Sequence, residues 1–578
     1  MPPSAARATA AAADDPASPA LRRPSLWAAA MLAIAIAAAV LRYHDIHRQI
    51  PLGDEWHSLA LAARARLEDL HHYFPRATAI PINLYQRWLL EHFGWNETSI
   101  RLLSIVSTVV TLLLLPWGVQ RVTGSRTMAA TVLVLFAVSP FWIFYGQNSR
   151  PYAPYLLFLL LAQYCFWRAL RADVTRAWVG FAVFTGLAAY FHLYALPALG
   201  SLASVALVRA WWLWRKERTG TRFFVRSVLG FIGAGAVTLA LFSGTSLSDL
   251  SDKVPAGKGA QPLDATFFRH SAELVTGVQS SWLAGALIAL ALIGLVSLWR
   301  KDPWLVAMLL VSALASIAFT LVVRPRWYFV ALVLVRYNLG LFLLFYLGLA
   351  RFVVLAVHVP RRYGRVSWAS ASRSRARAAA VAALAALAVF ASPLSTTLAA
   401  YPNNFRQHSA YVEFYSGWDP TRTRASAFFG GYDRVTRERI PPFYAMLKER
   451  HRGDCRVIEF PLPLHDHQAP YYFYQAFHGC EVLAGYTRED HIGSMLRLEK
   501  HANRLRFRRL VNLERLGRAR KPRADYVIVH HNVRQEAEAR RRIKLTADSE
   551  ALLTTLPKKL GPPVYEDRYV TVFKLRPK

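Results

Sequence analysis

The chain has 578 residues, of which 54% are hydrophobic, and it carries a formal net charge of +34. A soluble enzyme of this length would disperse its apolar residues among several domain cores, but here they are gathered in blocks of about 18 to 22 residues, the length of a membrane-spanning helix. The charge does not indicate nucleic-acid binding, because many arginines stand in short clusters between the apolar blocks, as in cytoplasmic loops. The composition therefore predicts a polytopic membrane protein.

Residues 1–24, rich in Ala, Pro and Ser, are typical of a disordered cytoplasmic tail. The apolar block 26–41 predicts a signal anchor rather than a cleaved signal peptide, because many further blocks follow it. A long first loop, 44–100, contains two amphipathic segments, 59–70 and 85–92. They are predicted to be helices lying in the membrane interface, the alternative being two helices of a small loop domain.

Ten further apolar blocks bring the prediction to about eleven membrane spans. They cover residues 102–119, 128–144, 153–170, 178–189, 194–212, 225–242, 282–298, 304–323, 338–357 and 378–399. Basic loops follow the second, fourth, sixth, eighth and tenth spans, which places the amino terminus in the cytoplasm and the carboxy-terminal region outside. Residues 324–335 are too few to span and predict a re-entrant or interfacial segment.

From residue 401 onward the chain changes character. The runs "CRVIEFPLPL", "DYVIVHH" and "RYVTVFKL" are short and rich in β-branched residues, and a helical candidate, 493–516, lies between them. The predicted fold is thus an all-α polytopic membrane domain over 25–400, followed by a soluble α/β extracytoplasmic domain over 401–578. Cys455 and Cys480 both fall in the second domain, where either a disulfide or two buried thiols would fit.

Two adjacent acids, Asp54 and Glu55, follow the first span on the predicted outer face, with His57 close behind. A carboxylate held near the membrane surface can act as a general base or bind a divalent cation. The alternative interpretation is a solvated pair that caps the following helix.

Basic and aromatic residues reach the same predicted face from later in the chain. Arg150 and Tyr152 occupy a short loop between two spans, and Arg336 and Tyr337 open the tenth span. A guanidinium group suits a phosphate, although an arginine at this depth can also be an interfacial anchor. His192, after the fifth span, fits a structural histidine as well as a ligand. Together these residues suggest a lipid-linked phosphate as leaving group, held by arginines, with an aspartate as base.

The sequence resembles the GT-C glycosyltransferases, in particular bacterial relatives of the protein O-mannosyltransferases and of the aminoarabinose transferase that modifies lipid A. The resemblance rests on four stretches in order: "GDEWHS", "YGQNSRPYA", "YFHLYAL" and "VRYNLGLFLLF". They cover about the first 350 residues, and "YYFYQAFHGCEVLAGY" in the outer domain is a weaker match.

The resemblance implies an inverting transfer of a hexosyl or pentosyl group from a polyprenyl-phosphate sugar to a lipid, glycan or protein acceptor on the outer face of the cell membrane. Asp54 would be the base with Glu55 beside it, Arg150 and Arg336 would hold the lipid phosphate, and a further set would line the cavity: His57, Tyr152, His192 and Tyr337. Rival interpretations are a transporter of a lipid-linked sugar and an inactive cell-envelope scaffold.

Asn148 departs from the pattern of the family, which often has Glu in the second stretch. The change removes an anionic group, so a metal-independent reaction is favoured over one that needs a divalent cation. No other cofactor is predicted.

Overall fold

The computed structural model describes residues 26–43, 46, 55, 58, 62, 80–93, 98–218, 220–243, 263–278, 280–324, 331–356, 368–391, 441–451, 455–460, 478, 480–482, 525–531 and 545–575. Asp54, His57 and the predicted helix 493–516 lie outside these ranges, as does the predicted interfacial helix 59–70 except for one residue, Ala62.

The membrane region is helical throughout its described part. The first helices, with a 3-10 turn at Ser99–Arg101 before α3, are α1 (Leu26–Tyr43), α2 (Ile80–His92), α3 (Leu102–Thr123), α4 (Arg126–Val138), α5 (Pro140–Gly146), α6 (Tyr152–Ala172), α7 (Thr175–Phe191), α8 (Ala195–Gly200) and α9 (Leu202–Glu217). The later ones are α10 (Gly220–Leu241), α11 (Ala265–Thr276), α12 (Ser281–Lys301), α13 (Pro303–Val323), α14 (Ala331–Tyr337), α15 (Gly340–Ala356) and α16 (Trp368–Phe390).

Seven helical segments in the described part are long and apolar enough to cross a membrane, or up to nine if each bent pair of helices is one span. All eleven predicted apolar blocks contain helix, which supports a multi-pass membrane protein, but the count of eleven spans is not reached. The third block is broken, the fifth and tenth are helices of only 17 residues (α7 and α15), and the last keeps only Ala378–Phe390 as an apolar helix.

The predicted third span is broken by a bend of 65° between α4 and α5, at Ser139 and Pro140. Proline has no N–H, so the carbonyl of Phe136 loses its helical donor. Arg42 replaces it: the fully buried guanidinium at the end of α1 donates to the carbonyl oxygens of Phe136 at 2.7 Å and Ala137 at 2.8 Å. The break therefore remains satisfied inside the membrane, as non-helical backbone at that depth requires.

Helix α12 and helix α15 pack closely through glycine. A Cβ atom added to Gly294 would lie 1.8 Å from the carbonyl oxygen of Gly348, so only glycine permits this approach. Small residues allow transmembrane helices to approach in this way. The contact fixes α15, which is the second member of the bent pair α14 and α15, whose axes differ by 81°.

Helix α2 confirms a helix in the second amphipathic segment, but the side it buries differs from the predicted apolar face. Trp88 is 43% exposed, whereas Gln86 and Arg87 are at most 1% exposed. The reason is that α2 packs on polar partners: Gln86 donates to Ser149 and Arg87 to the carbonyl of Ala62. Hydrophobic periodicity cannot recognise a helix face that is buried through hydrogen bonds.

The carboxy-terminal region contains a mixed sheet, as its β-branched runs predict. Its elements are α17 (Pro442–His451), β1 (Arg456–Phe460), β2 (Glu481–Val482), β3 (Tyr526–His530), α18 (Leu545–Leu560), β4 (Tyr565–Glu566) and β5 (Val570–Lys574). The strand order is β2-β1-β3-β5-β4; β1 pairs with β2 and β3 in parallel, and β5 pairs with β3 and β4 antiparallel. Cys455 and Cys480, at the starts of β1 and β2, form a disulfide.

A buried polar cluster occupies the sheet near the carboxyl ends of β1 and β3. Tyr444 of α17 donates to Glu459 at 2.7 Å, and Glu459 also contacts the imidazole of His530. All three residues are 0% exposed. Burial raises the pKa of Glu459 well above its usual value, and burial followed by the charge of His531 lowers the pKa of His530 well below its own.

These shifts predict a stability plateau. Because the pKa of Glu459 is raised on folding, its contribution to stability is complete below pH 4.5, the pKa in the unfolded chain, and is lost as the pH rises. Because the pKa of His530 is lowered on folding, its contribution is complete above pH 6.5, the pKa in the unfolded chain, and is lost as the pH falls. The two slopes cancel between those values, so the sheet should be most stable there and lose about 1.4 kcal/mol per pH unit on either side.

The measurement is hydrogen exchange of the β1 and β3 amides in the full chain, corrected for intrinsic exchange. Glu459→Gln should abolish the loss above pH 6.5 and retain the loss below pH 4.5, because only His530 then titrates. An unchanged alkaline limb in this variant would contradict the assignment.

Candidate functional site

The candidate site begins with a buried ion pair. Both oxygens of Glu55 accept hydrogen bonds from Arg101, at 2.9 Å from Nε and 2.8 Å from Nη2, and both side chains are 0% exposed. The geometry is the bidentate one that makes arginine–carboxylate pairs strong. Glu55 is therefore not a solvated helix cap. Its charge is matched inside the protein, and the pair ties the start of the first loop to the start of α3.

Ser149 connects this ion pair to the loop between α5 and α6. Its backbone N–H donates to Glu55 at 2.7 Å, its hydroxyl donates to the carbonyl of Ile100, and Gln86 of α2 donates to the same hydroxyl at 2.8 Å. Ser149 is 1% exposed. Three segments that are distant in sequence thus meet at one loop residue, and they fix the backbone directly before Arg150.

Arg150 is half-buried at this junction. Its Nη1 donates to Ser58 at 2.7 Å, and its carbonyl accepts from Ser104 at 3.2 Å. Its Nε is buried without a hydrogen-bond partner among the described residues. The described contact of the guanidinium is with the neutral hydroxyl of Ser58, which does not neutralise its positive charge.

His192 is the buried centre of an aromatic group. It lies in the link between α7 and α8, is 1% exposed, and stacks on Tyr155 at 5.2 Å between ring centroids. Burial, and then the charges of Arg336 and Arg150, lower its pKa to about 3. The imidazole is neutral at pH 7, and its Nδ1 accepts the backbone N–H of Tyr194 at 3.3 Å, so Nε2 carries the proton.

Arg336 reaches the same group from the end of α14. Its guanidinium carbon lies 5.6 Å from the ring centre of Tyr152 and 5.3 Å from that of Tyr337. The ring of Tyr337 lies 5.2 Å from His192 and 4.5 Å from Tyr194. Such cation–π contacts orient a guanidinium over the faces of the aromatic rings.

The structure thus brings four of the predicted site residues close to a fifth, His192: Arg150, Tyr152, Arg336 and Tyr337. Glu55 does not belong to this group, but it accepts a hydrogen bond from Ser149, the residue before Arg150. Asp54 and His57 are outside the described residues, and their placement remains a prediction.

Several residues of this site were missed by the sequence analysis: Ser58, Gln86, Arg101, Ser149, Tyr155 and Tyr194. Arg101 had a usable signal, because an arginine at the predicted outer end of a span runs against the positive-inside rule. The others had none, since a lone serine or tyrosine carries no information about its partner. Within the described ranges, no three His, Cys, Asp or Glu side chains lie together in a way that could hold a metal ion.

Comparison with known proteins gives a family match over part of the chain. Residues 80–245 match the family model described as dolichyl-phosphate-mannose-protein mannosyltransferase. This match supports the resemblance to the GT-C glycosyltransferases that the four sequence stretches indicate. The matched interval contains Arg150, Tyr152 and His192, whereas Asp54, Glu55 and Arg336 lie outside it.

Solved structures agree in fold. The chain is similar to ArnT from Cupriavidus metallidurans in the apo state, at 15% identity and a TM-score of 0.51, covering 95% of this chain and 98% of that one. The form of ArnT bound to undecaprenyl phosphate gives a TM-score of 0.52 at 15% identity and the same coverage. At this identity the likeness shows the fold alone. No curated protein sequence matches the chain.

Proposed function

We propose that the chain transfers a sugar from a polyprenyl phosphate to an acceptor hydroxyl on the extracytoplasmic face, with inversion at the sugar carbon. The observation that carries this proposal is that Arg336 lies over the ring of Tyr152, two residues after Arg150, and that this ring is 5.6 Å from that of His192. The two arginines lie 186 residues apart in the chain, and the described contacts of Arg150 include no carboxylate. A site with two guanidinium groups fits a phosphate.

The chemistry follows from an anion on one side of the site and a proton acceptor on the other. The acceptor O–H would give its proton to the carboxylate of Asp54, while the oxygen forms a bond to the sugar C1. The bond from C1 to the phosphate oxygen breaks, and the polyprenyl phosphate leaves with the electron pair. Arg150 and Arg336 stabilise the charge that develops on the leaving oxygen, usually the largest single term in such a step.

Glu55 has a different role in this proposal from that of Asp54. Both of its oxygens are engaged by Arg101 and one also by Ser149, so it is a positioning residue that fixes the backbone before Arg150. Neutral His192 and the rings of Tyr152 and Tyr337 line the cavity. The Nε2–H of His192 can donate a hydrogen bond to an oxygen of a phosphate or of a sugar hydroxyl.

The membrane orientation is part of the proposal. Arg121 lies over Trp117 at 5.2 Å and Arg209 over Trp212 at 4.5 Å, and both pairs stand near the ends of α3 and α9 that the charge pattern places in the cytoplasm. Tryptophan and arginine concentrate at membrane interfaces, with arginine in excess on the cytoplasmic side. The site would then lie at the extracytoplasmic end of the bundle.

Arg336→Gln should weaken binding of undecaprenyl phosphate by about 10- to 100-fold, because a hydrogen-bonded charge at a phosphate is worth roughly 1.5–3 kcal/mol. Transfer from a radiolabelled polyprenyl-phosphate sugar should fall at least as much. Both are measured on the purified full chain in detergent or vesicles. Arg324→Gln is the matched control and should leave both unchanged: Arg324 is an arginine at the end of α13 whose described hydrogen bond is to Leu321.

The transfer assay separates the rival interpretations. A transporter would move the labelled lipid across vesicles without a glycosylated product, and an inactive scaffold would give neither movement nor product. Wild-type affinity in Arg336→Gln would remove the phosphate-binding assignment.

A further inference from the structure

Helix α14 carries Arg336 and Tyr337 on its last turn, and the chain then turns through 81° at Asn338 and Leu339 to begin α15. We call this turn the Asn338 bend. Helix α14 is anchored by four buried residues, Ala331, Val333, Leu334 and Val335, and the bend after it sets the path of the chain from Arg336 into α15. The last carbonyls of a helix need other donors, so the groups that supply them determine the geometry of the turn.

Asn338 supplies the first of these donors. Its Nδ2 donates to the carbonyl of Leu334 at 2.7 Å, and its backbone N–H donates to that of Val335 at 3.1 Å. The side chain is 1% exposed. A carbonyl can only accept, so the NH₂ end of the amide must face Leu334, and its second proton points to α13.

Two hydroxyl groups on α13, one helical turn apart, complete the bend. Thr320 donates its proton to the carbonyl of Ser316 at 2.9 Å, so its oxygen is an acceptor for Asn338 Nδ2 at 3.2 Å. Ser316 in turn donates to the carbonyl of Tyr337 at 3.4 Å. Thr320 and Ser316 are 0% and 3% exposed, so water does not compete for these bonds.

We infer that Thr320 and Asn338 are positioning residues for the donor phosphate: they fix the Asn338 bend and so hold Arg336 over Tyr152, where it can meet the anion. This inference rests on the proposed function, because it gives Arg336 a phosphate to bind. The nature of Asn338 supports it. Its Oδ1 is buried without a hydrogen-bond partner among the described residues, which is costly. The described hydrogen bonds of the side chain are therefore those of its NH₂ group, to Leu334 and Thr320, and both lie at the bend.

The test uses Thr320→Val, which keeps the shape of the side chain and removes the acceptor for Asn338. The affinity of the full chain for undecaprenyl phosphate should fall about tenfold, since a displaced Arg336 would lose much of a charge-assisted hydrogen bond worth roughly 1.5–3 kcal/mol. The apparent melting temperature should stay within about 2–4 °C of the wild type. Thr320→Ser, which keeps the hydroxyl, should restore the affinity.

Thr111→Val is the matched control. Thr111 is 2% exposed in α3, and its hydroxyl donates to Ser107 of the same helix at 2.8 Å, the one hydrogen bond it makes in the described part of the chain. Both threonines lose an intrahelical bond, but only Thr320 loses a bond to the bend. Thr111→Val should therefore bind undecaprenyl phosphate as the wild type does.

A double variant shows whether the effect passes through Arg336. If it does, Thr320→Val added to Arg336→Gln should weaken binding no further than Arg336→Gln alone. Additive losses, or a Thr320→Val variant with wild-type affinity, would overturn the positioning role and leave the proposed function standing. If Arg336→Gln itself binds normally, the phosphate-binding assignment fails, and the role of the bend fails with it.

Discussion

Glu55→Ala is expected to destabilise the protein by about 3–5 kcal/mol, because it removes the carboxylate of a bidentate ion pair with Arg101 in which both side chains are 0% exposed. The usual stability of a folded domain is only about 5–15 kcal/mol, so a loss of this size should lower both the yield of folded protein and its melting temperature. Transfer activity should fall together with the folded fraction, and the loop that holds Arg150 should lose its anchor at Ser149.

Two comparisons test whether the broken Glu55–Arg101 ion pair causes the loss of stability. Changing both partners, Glu55→Leu with Arg101→Met, should recover much of the lost stability, since replacing a buried pair by apolar residues is often neutral. Arg226→Ala breaks a partly exposed pair with Asp173, in which the side chains are 25% and 27% exposed, and should cost about 1 kcal/mol or less. A Glu55→Ala protein of normal stability would refute the structural role.

Asp54→Asn is expected to reduce turnover by more than tenfold while the protein remains folded and inserted in the membrane. Asparagine has nearly the same shape but cannot accept the proton of the acceptor hydroxyl, and general-base catalysis typically contributes about 10² to 10⁴ in rate. The measurement is the transfer rate at saturating donor, with the melting temperature recorded on the same preparation. The affinity for undecaprenyl phosphate should change little, because Asp54 acts on the acceptor.

The adjacent acids serve as controls for each other. Asp54→Asn should separate activity from stability, whereas Glu55→Ala should lose both. Near-full activity in Asp54→Asn would reject the base assignment, and a large fall in melting temperature would mean that Asp54, like Glu55, is part of the structural network.

The arrangement of the site also has a consequence for its dependence on pH. His192 keeps a pKa of about 3 because it is buried beside two arginines, so it does not titrate near neutral pH. A titration in the activity profile between pH 5 and 8 would belong to another group. His192 therefore adds no pH-dependent charge to the site near neutral pH.

The sequence by itself determined the elements that depend on local composition. Apolar blocks long enough to cross a bilayer are visible without any partner, and each of them contains helix in the structure. The β-branched runs of the carboxy-terminal region became β1, β3 and β5 for the same reason. The four short stretches that resemble the GT-C family also supplied every site residue predicted to bind phosphate.

Only the tertiary structure decided how polar groups are paired. Glu55 and Arg101 are 46 residues apart, and nothing local to either predicts that they form a bidentate pair. The buried polar side of α2 and the Asn338 bend depend likewise on hydrogen bonds between distant segments. Hydrophobic burial is set by how much apolar surface a segment carries, so a sequence displays it directly; a hydrogen bond needs two groups within about 3 Å, and the fold alone brings them there.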